Sequence, residues 1–151
     1  MDIRITNIRP PRIAQILVLT AVLLHWLTPL DHVYVYSSQV PGIILGICGF
    51  GIMMWGWWLF KKYDTAICPT AETDRLVMSG IFRLSRNPMY LGMVVMLLAL
   101  SILVGTLPFY LATVVFFVVI NNFFCPYEEN KLAVAFGDTY MTYKNTVRRW
   151  L

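Results

Sequence analysis

The chain has 151 residues, of which 58% are hydrophobic and 13% charged, with a formal net charge of +4. A soluble domain carries about 25% charged residues, so a water-soluble globular fold is excluded. With a mean hydropathy of +0.66, the chain reads as a small polytopic protein held in a lipid bilayer, with no nucleic-acid partner.

Four apolar runs cover residues 13–30, 41–60, 89–107 and 108–125. Each approaches the roughly 20 residues a helix needs to cross a hydrocarbon core of about 30 Å. They are continuously apolar and do not alternate, so the spacing predicts an all-α integral membrane fold with four transmembrane helices, not a β-barrel. The first run follows Arg4, Arg9 and Arg12. It is long for a signal-peptide core and lacks a small-residue cleavage site, so it reads as a retained helix. His25 inside it reads as a neutral, packed histidine, and Asp31 and His32 as part of a loop. The second run carries Gly42, Gly46 and Gly49, a small face for close helix contact. It ends in Trp55, Trp57, Trp58 and Tyr63 beside Lys61 and Lys62, the composition of a membrane–water interface.

The polar segment 61–87 is too long for a plain connector. Its apolar residues Ile67, Leu76, Val77, Ile81, Phe82 and Leu84 suit packing against the rest of the molecule. Asn87 and Pro88 then form a natural N-cap and first residue for the third helix. The turn near 105–108 is so short that the last two helices should form a tight hairpin. Asn121 and Asn122 interrupt the apolar run near its end, where the bland reading is an interhelical hydrogen bond. Pro126 opens a first amphipathic helix with Glu128 and Glu129 at its start and Leu132, Ala135 and Phe136 on one face. Gly137 reads as its stop and Asp138 as the cap of a second helix bearing Tyr140, Tyr143 and Val147. Both should lie on the membrane surface, with Arg148, Arg149 and Trp150 as an interfacial ending. Cys48, Cys68 and Cys125 are scattered without C-x-x-C spacing, so neither a disulfide framework nor a metal site is expected.

All 12 lysines and arginines fall on one side of the four runs: Arg4, Arg9 and Arg12, then Lys61, Lys62, Arg75, Arg83 and Arg86, then Lys131, Lys144, Arg148 and Arg149. The loops 31–40 and 105–108 hold none. The positive-inside rule puts both termini and the middle segment in the cytoplasm, and a bacterial inner membrane is the expected location. The start of the third helix and the end of the fourth then meet at one boundary, with Arg83, Arg86, Asn87, Tyr90, Asn121, Asn122, Glu128 and Glu129 around it. Carboxylates are costly at such a boundary unless solvated or paired. A pocket there meets a soluble ligand from the cytosol and an apolar one from the lipid. Residues 1–151 thus read as a single membrane domain, with 61–92 and 121–151 forming the site.

At these residues the chain resembles the isoprenylcysteine carboxyl methyltransferases and their phospholipid-methylating relatives. The matching stretches are DRLVMSGIFRLSRNPMYLG (74–92) and EENKLAVAFGDTYMTYKNTVRRW (128–150). They give L-V-x-x-G-x-F, R-N-P-x-Y-x-G, E-E-x-x-L and F-G-x-x-Y-x-x-Y in order. The resemblance implies a membrane-embedded methyltransferase that uses S-adenosylmethionine and a lipophilic small-molecule acceptor, a prenylcysteine-type carboxylate or another lipid, amine or thiol. It places the cofactor on Asp74, Arg75, Leu76, Val77, Phe82, Arg86, Asn87, Pro88, Met89, Tyr90, Glu128 and Glu129. Tyr90, Asn121, Asn122 and Glu128 would shape the reaction site, the two asparagines orienting the acceptor. Two positions depart from the family's best-known form: Asn87 stands for histidine, and Phe124 stands for an arginine one turn before Glu128. Rival readings are a sterol-reductase-like membrane enzyme using NADPH, a four-helix transporter of cationic compounds and a non-catalytic scaffold. The polar segment is short for a dinucleotide, and no acidic residue lies inside the four runs to couple transport.

Overall fold

The computed structural model describes residues 9–28, 37–64 and 75–151; Arg4, Asp31, His32, Ile67, Cys68 and Asp74, named above, lie outside them. The described residues form α1 (Pro10–Leu27), α2 (Gln39–Lys62), a 3-10 turn (Gly80–Arg83), α3 (Pro88–Val104), α4 (Leu107–Val119), a π-turn (Ile120–Phe124) and α5 (Cys125–Thr146). No strand occurs among them. Three helical stretches are long and apolar enough to cross a membrane: α1, α2 and the continuous run Leu107–Thr146. The third apolar run yields α3, of 17 residues. It starts at a proline and stops at Gly105, whose φ of 78° puts it in the left-handed region that ends helices. At 1.5 Å per residue it is about 25 Å long.

The α3–α4 connection is the tight hairpin expected. Gly105 donates its N–H to Ser101 O at 2.7 Å, and α4 begins two residues later with Pro108 in its first turn. A buried Ser101–Thr113 hydroxyl contact of 2.9 Å ties the two helices together. The sequence suggested a helix boundary at Pro126, yet the helix runs on. Pro126 has no N–H and its ring crowds the carbonyl four residues back. The chain answers by widening: the turn 120–124 is a π-helix, and Cys125 donates to Ile120 O, five residues back. The break comes instead at Gly137 (φ 51°, ψ −127°), a conformation open to glycine and the point where a stop was expected.

The helices pack in the order α2, α3, α4, α1. The α2–α3 seam is the closest. Its small residues are Gly42, Gly49 and Gly56, all buried and seven apart, while Gly46 stands slightly off the seam. A methyl group on Gly92 would lie 2.6 Å from Gly49 O, and one on Gly49 would lie 2.9 Å from Gly92 O. Backbone meets backbone there, which gives apolar helices in lipid their van der Waals contact. On the other side, Leu97, Phe116, Ile120, Phe124 and Cys125 form a buried cluster that α1 covers with Ile13, Ala14, Leu17 and Val18. At the end of α2, Lys61 and Lys62 lie over the rings of Trp57 and Trp58 at 5.3 and 5.2 Å.

Gly92→Val forces the α2 and α3 backbones apart and is expected to cost about 1–3 kcal/mol, read as a lower thermal unfolding midpoint in detergent. Gly51→Ala, where an added methyl meets nothing within 4 Å, is expected to hold or raise that midpoint.

Candidate functional site

The segment after Arg75 folds against the end of α2. Val77, Ile81 and Phe82 are buried on Leu59, with Phe60 and Tyr63 alongside. The Phe60 and Phe82 rings meet edge to face at 5.2 Å. Gly80 makes this approach possible: its φ is +60°, and a methyl group there would strike Leu59 Cδ1 at 2.8 Å. Tyr143, from α5, donates its hydroxyl to Phe82 O at 2.6 Å and closes the segment from the other side.

The start of α3 and the start of α5 are brought together. Tyr90 donates its hydroxyl to Glu128 Oε1 at 2.5 Å. One residue on, Glu129 is 5% exposed and faces three cations. Arg149 grips it along one edge, Nε to Oε1 at 2.7 Å and Nη2 to Oε2 at 3.0 Å. Arg86 reaches Oε1 through Nη1 at 3.1 Å, and Lys144 reaches Oε2 at 3.3 Å. The Glu129 hydrogen bonds hold the Arg149 guanidinium more firmly protonated than an ordinary arginine, against the opposing effect of its burial.

The last residues run back across the motif Arg86-Asn87-Pro88. Arg148 O accepts from Arg86 N at 3.0 Å, while Arg149 O accepts from Ser85 Oγ at 3.1 Å and Asn87 Nδ2 at 3.3 Å. Asn87 therefore sits at the N-cap position of α3 without capping it by its side chain, which is spent on the tail. Trp150 Nε1 and Arg149 Nη1 both donate to Asn121 Oδ1, at 3.0 and 3.2 Å, and Asn121 Nδ2 donates to Asn122 Oδ1 at 3.1 Å.

A cleft enclosing about 80 Å³ lies between these elements. Of the residues singled out in the sequence, Arg75, Leu76, Val77, Phe82, Arg86, Asn87, Glu128 and Glu129 line it. Tyr90 touches it through Glu128. Pro88 is buried, and Met89 packs on Gly56 of α2. Asn121 is held by the tail, and Asn122 is exposed beside it. The cleft also takes Phe60, Leu132, Tyr140 and Tyr143, none of which was among the candidates. The two tyrosines were visible in the F-G-x-x-Y-x-x-Y spacing but read as a surface stripe. Arg149 was missed as well, because a terminal Arg-Arg-Trp reads as a membrane anchor.

The lining combines cations, carboxylates and aromatic rings. Arg86 Nη1 donates to Tyr140 Oη at 3.3 Å, while the buried Arg86 Nε–H has no partner among the described residues. Such a donor set fits a zwitterionic ligand: a carboxylate for the free arginine N–H, and a cation for Glu128.

A family model described as phospholipid methyltransferase matches residues 37–139. An uncharacterized protein of Haemophilus influenzae is 43% identical over 63 residues, which are 42% of this chain and 100% of that protein. No solved structure matches.

Glu129→Ala removes the one carboxylate shared by Arg86, Lys144 and Arg149. Breaking a buried pair leaves uncompensated charge, so a loss of about 3–5 kcal/mol is expected, measured by denaturant unfolding in detergent. A variant as stable as the parent would show that the three cations do not depend on it.

Proposed function

The chain belongs to the phospholipid methyltransferase family, and on that premise we propose that it is an S-adenosylmethionine-dependent methyltransferase acting on a lipophilic acceptor at the cytoplasmic face of a membrane. One observation carries this reading: Tyr90 at the start of α3 and Glu128 at the start of α5 meet beside a cleft that also holds Arg86, whose Nε–H has no partner among the described residues. In this reading α3 also crosses, which makes four crossing helices, both termini are cytoplasmic, and the part of α5 beyond Gly137 lies along the bilayer surface.

S-adenosylmethionine supplies a methyl group on a sulfonium cation, and that charge disappears as the methyl leaves. The residues of the chain bind, align and exclude water. Arg86 and Arg75 hold the carboxylate of the donor's amino-acid end, with Asn87 beside them. Glu128, its orientation fixed by the Tyr90 hydroxyl, faces the donor's positive charge. Phe60, Phe82, Tyr140 and Tyr143 keep water from the cleft, which favours a step in which charges cancel. Asn121, whose side chain the tail occupies, fixes the place of Asn122, and the exposed Asn122 orients the acceptor. An acceptor that is a carboxylate or a neutral amine needs little acid–base help, and alignment can supply about 7–11 kcal/mol.

Calorimetric titration of the detergent-purified protein is expected to show binding of S-adenosylhomocysteine and none of NADPH; NADPH binding alone would sink the methyltransferase reading. With a labelled methyl donor and a lipid extract, label should appear in a lipid-soluble product. Tyr90→Phe, which removes only the hydroxyl that orients Glu128, is expected to lower kcat/KM about tenfold, equivalent to about 1.4 kcal/mol.

A further inference from the structure

Two arginines compete for one carboxylate at this site. A carboxylate has one edge on which a guanidinium can lie with two parallel N–H bonds. On Glu129 that edge belongs to Arg149, through Nε and Nη2. Arg86 is left with an end-on contact through Nη1, shared with the Tyr140 hydroxyl. As a result its Nε–H, though buried, has no partner among the described residues. A buried donor without an acceptor costs about 1–3 kcal/mol, so an acceptor entering the cleft would gain that bond.

The backbone serves the same end. Arg148 O takes the Arg86 N–H, and Arg149 O takes the Asn87 side chain, so the tail sets where Arg86 begins as well as what its guanidinium can reach. Without the Arg149 guanidinium, Arg86 is free to turn onto the Glu129 edge and use its own Nε there.

We infer that Arg149 is a positioning residue of the donor site: by occupying the two-bond edge of Glu129, it reserves the Arg86 Nε–H for the carboxylate of the donor's amino-acid end. This rests on the methyltransferase reading above. Arg149 does not touch the donor and acts through Glu129 and Arg86.

The test uses the full-length protein in detergent and two probes, S-adenosylhomocysteine and 5′-methylthioadenosine, which keeps the nucleoside and thioether but has no amino-acid end. Arg149→Ala is expected to weaken S-adenosylhomocysteine about tenfold and leave methylthioadenosine unchanged. Arg149→Lys keeps the charge but cannot make the two-bond contact, and the same selective loss is expected. In the Arg86→Ala background, adding Arg149→Ala should cost S-adenosylhomocysteine nothing more. Equal weakening of both probes, restoration by lysine, or full additivity with Arg86→Ala would each reduce Arg149 to a structural strut. Unchanged S-adenosylhomocysteine binding in Arg149→Ala would overturn the inference alone. A parent protein that binds neither probe would overturn the methyltransferase reading beneath it.

Discussion

The Glu129 carboxylate is the point on which the charged end of the molecule depends. Removing a carboxylate from water costs several kcal/mol unless it is paired and hydrogen-bonded. Here the compensation comes from three separate stretches of chain: Arg86 ahead of α3, Lys144 near the end of α5, and Arg149 beyond it. Lys144 and Arg149 are close in sequence, but Arg86 has no local reason to be near either of them. A single buried charge makes their meeting necessary, and the cleft is the space their convergence leaves.

The apolar half of the fold prepares this meeting. The glycines of α2 and Gly92 of α3 let two backbones touch, which brings Gly56 level with the first turn of α3 and leaves the last turn of α2 beside the residues ahead of it. Ahead of α3, Val77, Ile81 and Phe82 are pressed onto Leu59, Phe60 and Tyr63, with Gly80 allowing the closest approach. Arg75, Phe82 and Arg86 thereby acquire fixed places beside the start of α5. Packing in the bundle and chemistry at its end are one problem: loosening the glycine seam would shift the arginine that the carboxylate is meant to hold.

How legible this was in the sequence follows from the range of each signal. Local signals read true. Gly105 ends α3, Gly137 breaks α5, and Val77, Ile81 and Phe82 of the middle segment pack as their composition required, while Leu84 is exposed. The meeting of Tyr90 with Glu128 was also readable, since two antiparallel helices joined by a short turn must bring the start of one beside the end of the other. What could not be read was pairing without a constraint on distance. Arg149 lies 20 residues from Glu129, and nothing in Arg-Arg-Trp separates an anchor in lipid from a strap across a cleft. Asn87 shows the same limit, since its place at the helix start was legible and the partner of its side chain was not. The sequence reading takes Gly42, Gly46 and Gly49 as the small face, whereas the seam uses Gly42, Gly49 and Gly56, and only the position of α3 decides between Gly46 and Gly56.

The π-turn explains a further departure. Phe124 stands where the resembling family has an arginine, and it is 1% exposed within the cluster of Leu97, Phe116, Ile120 and Cys125. Glu128 lies one helical turn further on and reaches the Tyr90 hydroxyl. The widened turn 120–124, forced by Pro126, sets this register: it seals position 124 into the apolar cluster while the next turn opens onto the cleft. A guanidinium in place of Phe124 would be buried among apolar side chains, at the cost that unpaired charge carries there. The basic groups at the site come instead from the segment ahead of α3, from the end of α5 and from the tail, and Lys144 and Arg149 keep part of their side chains in water.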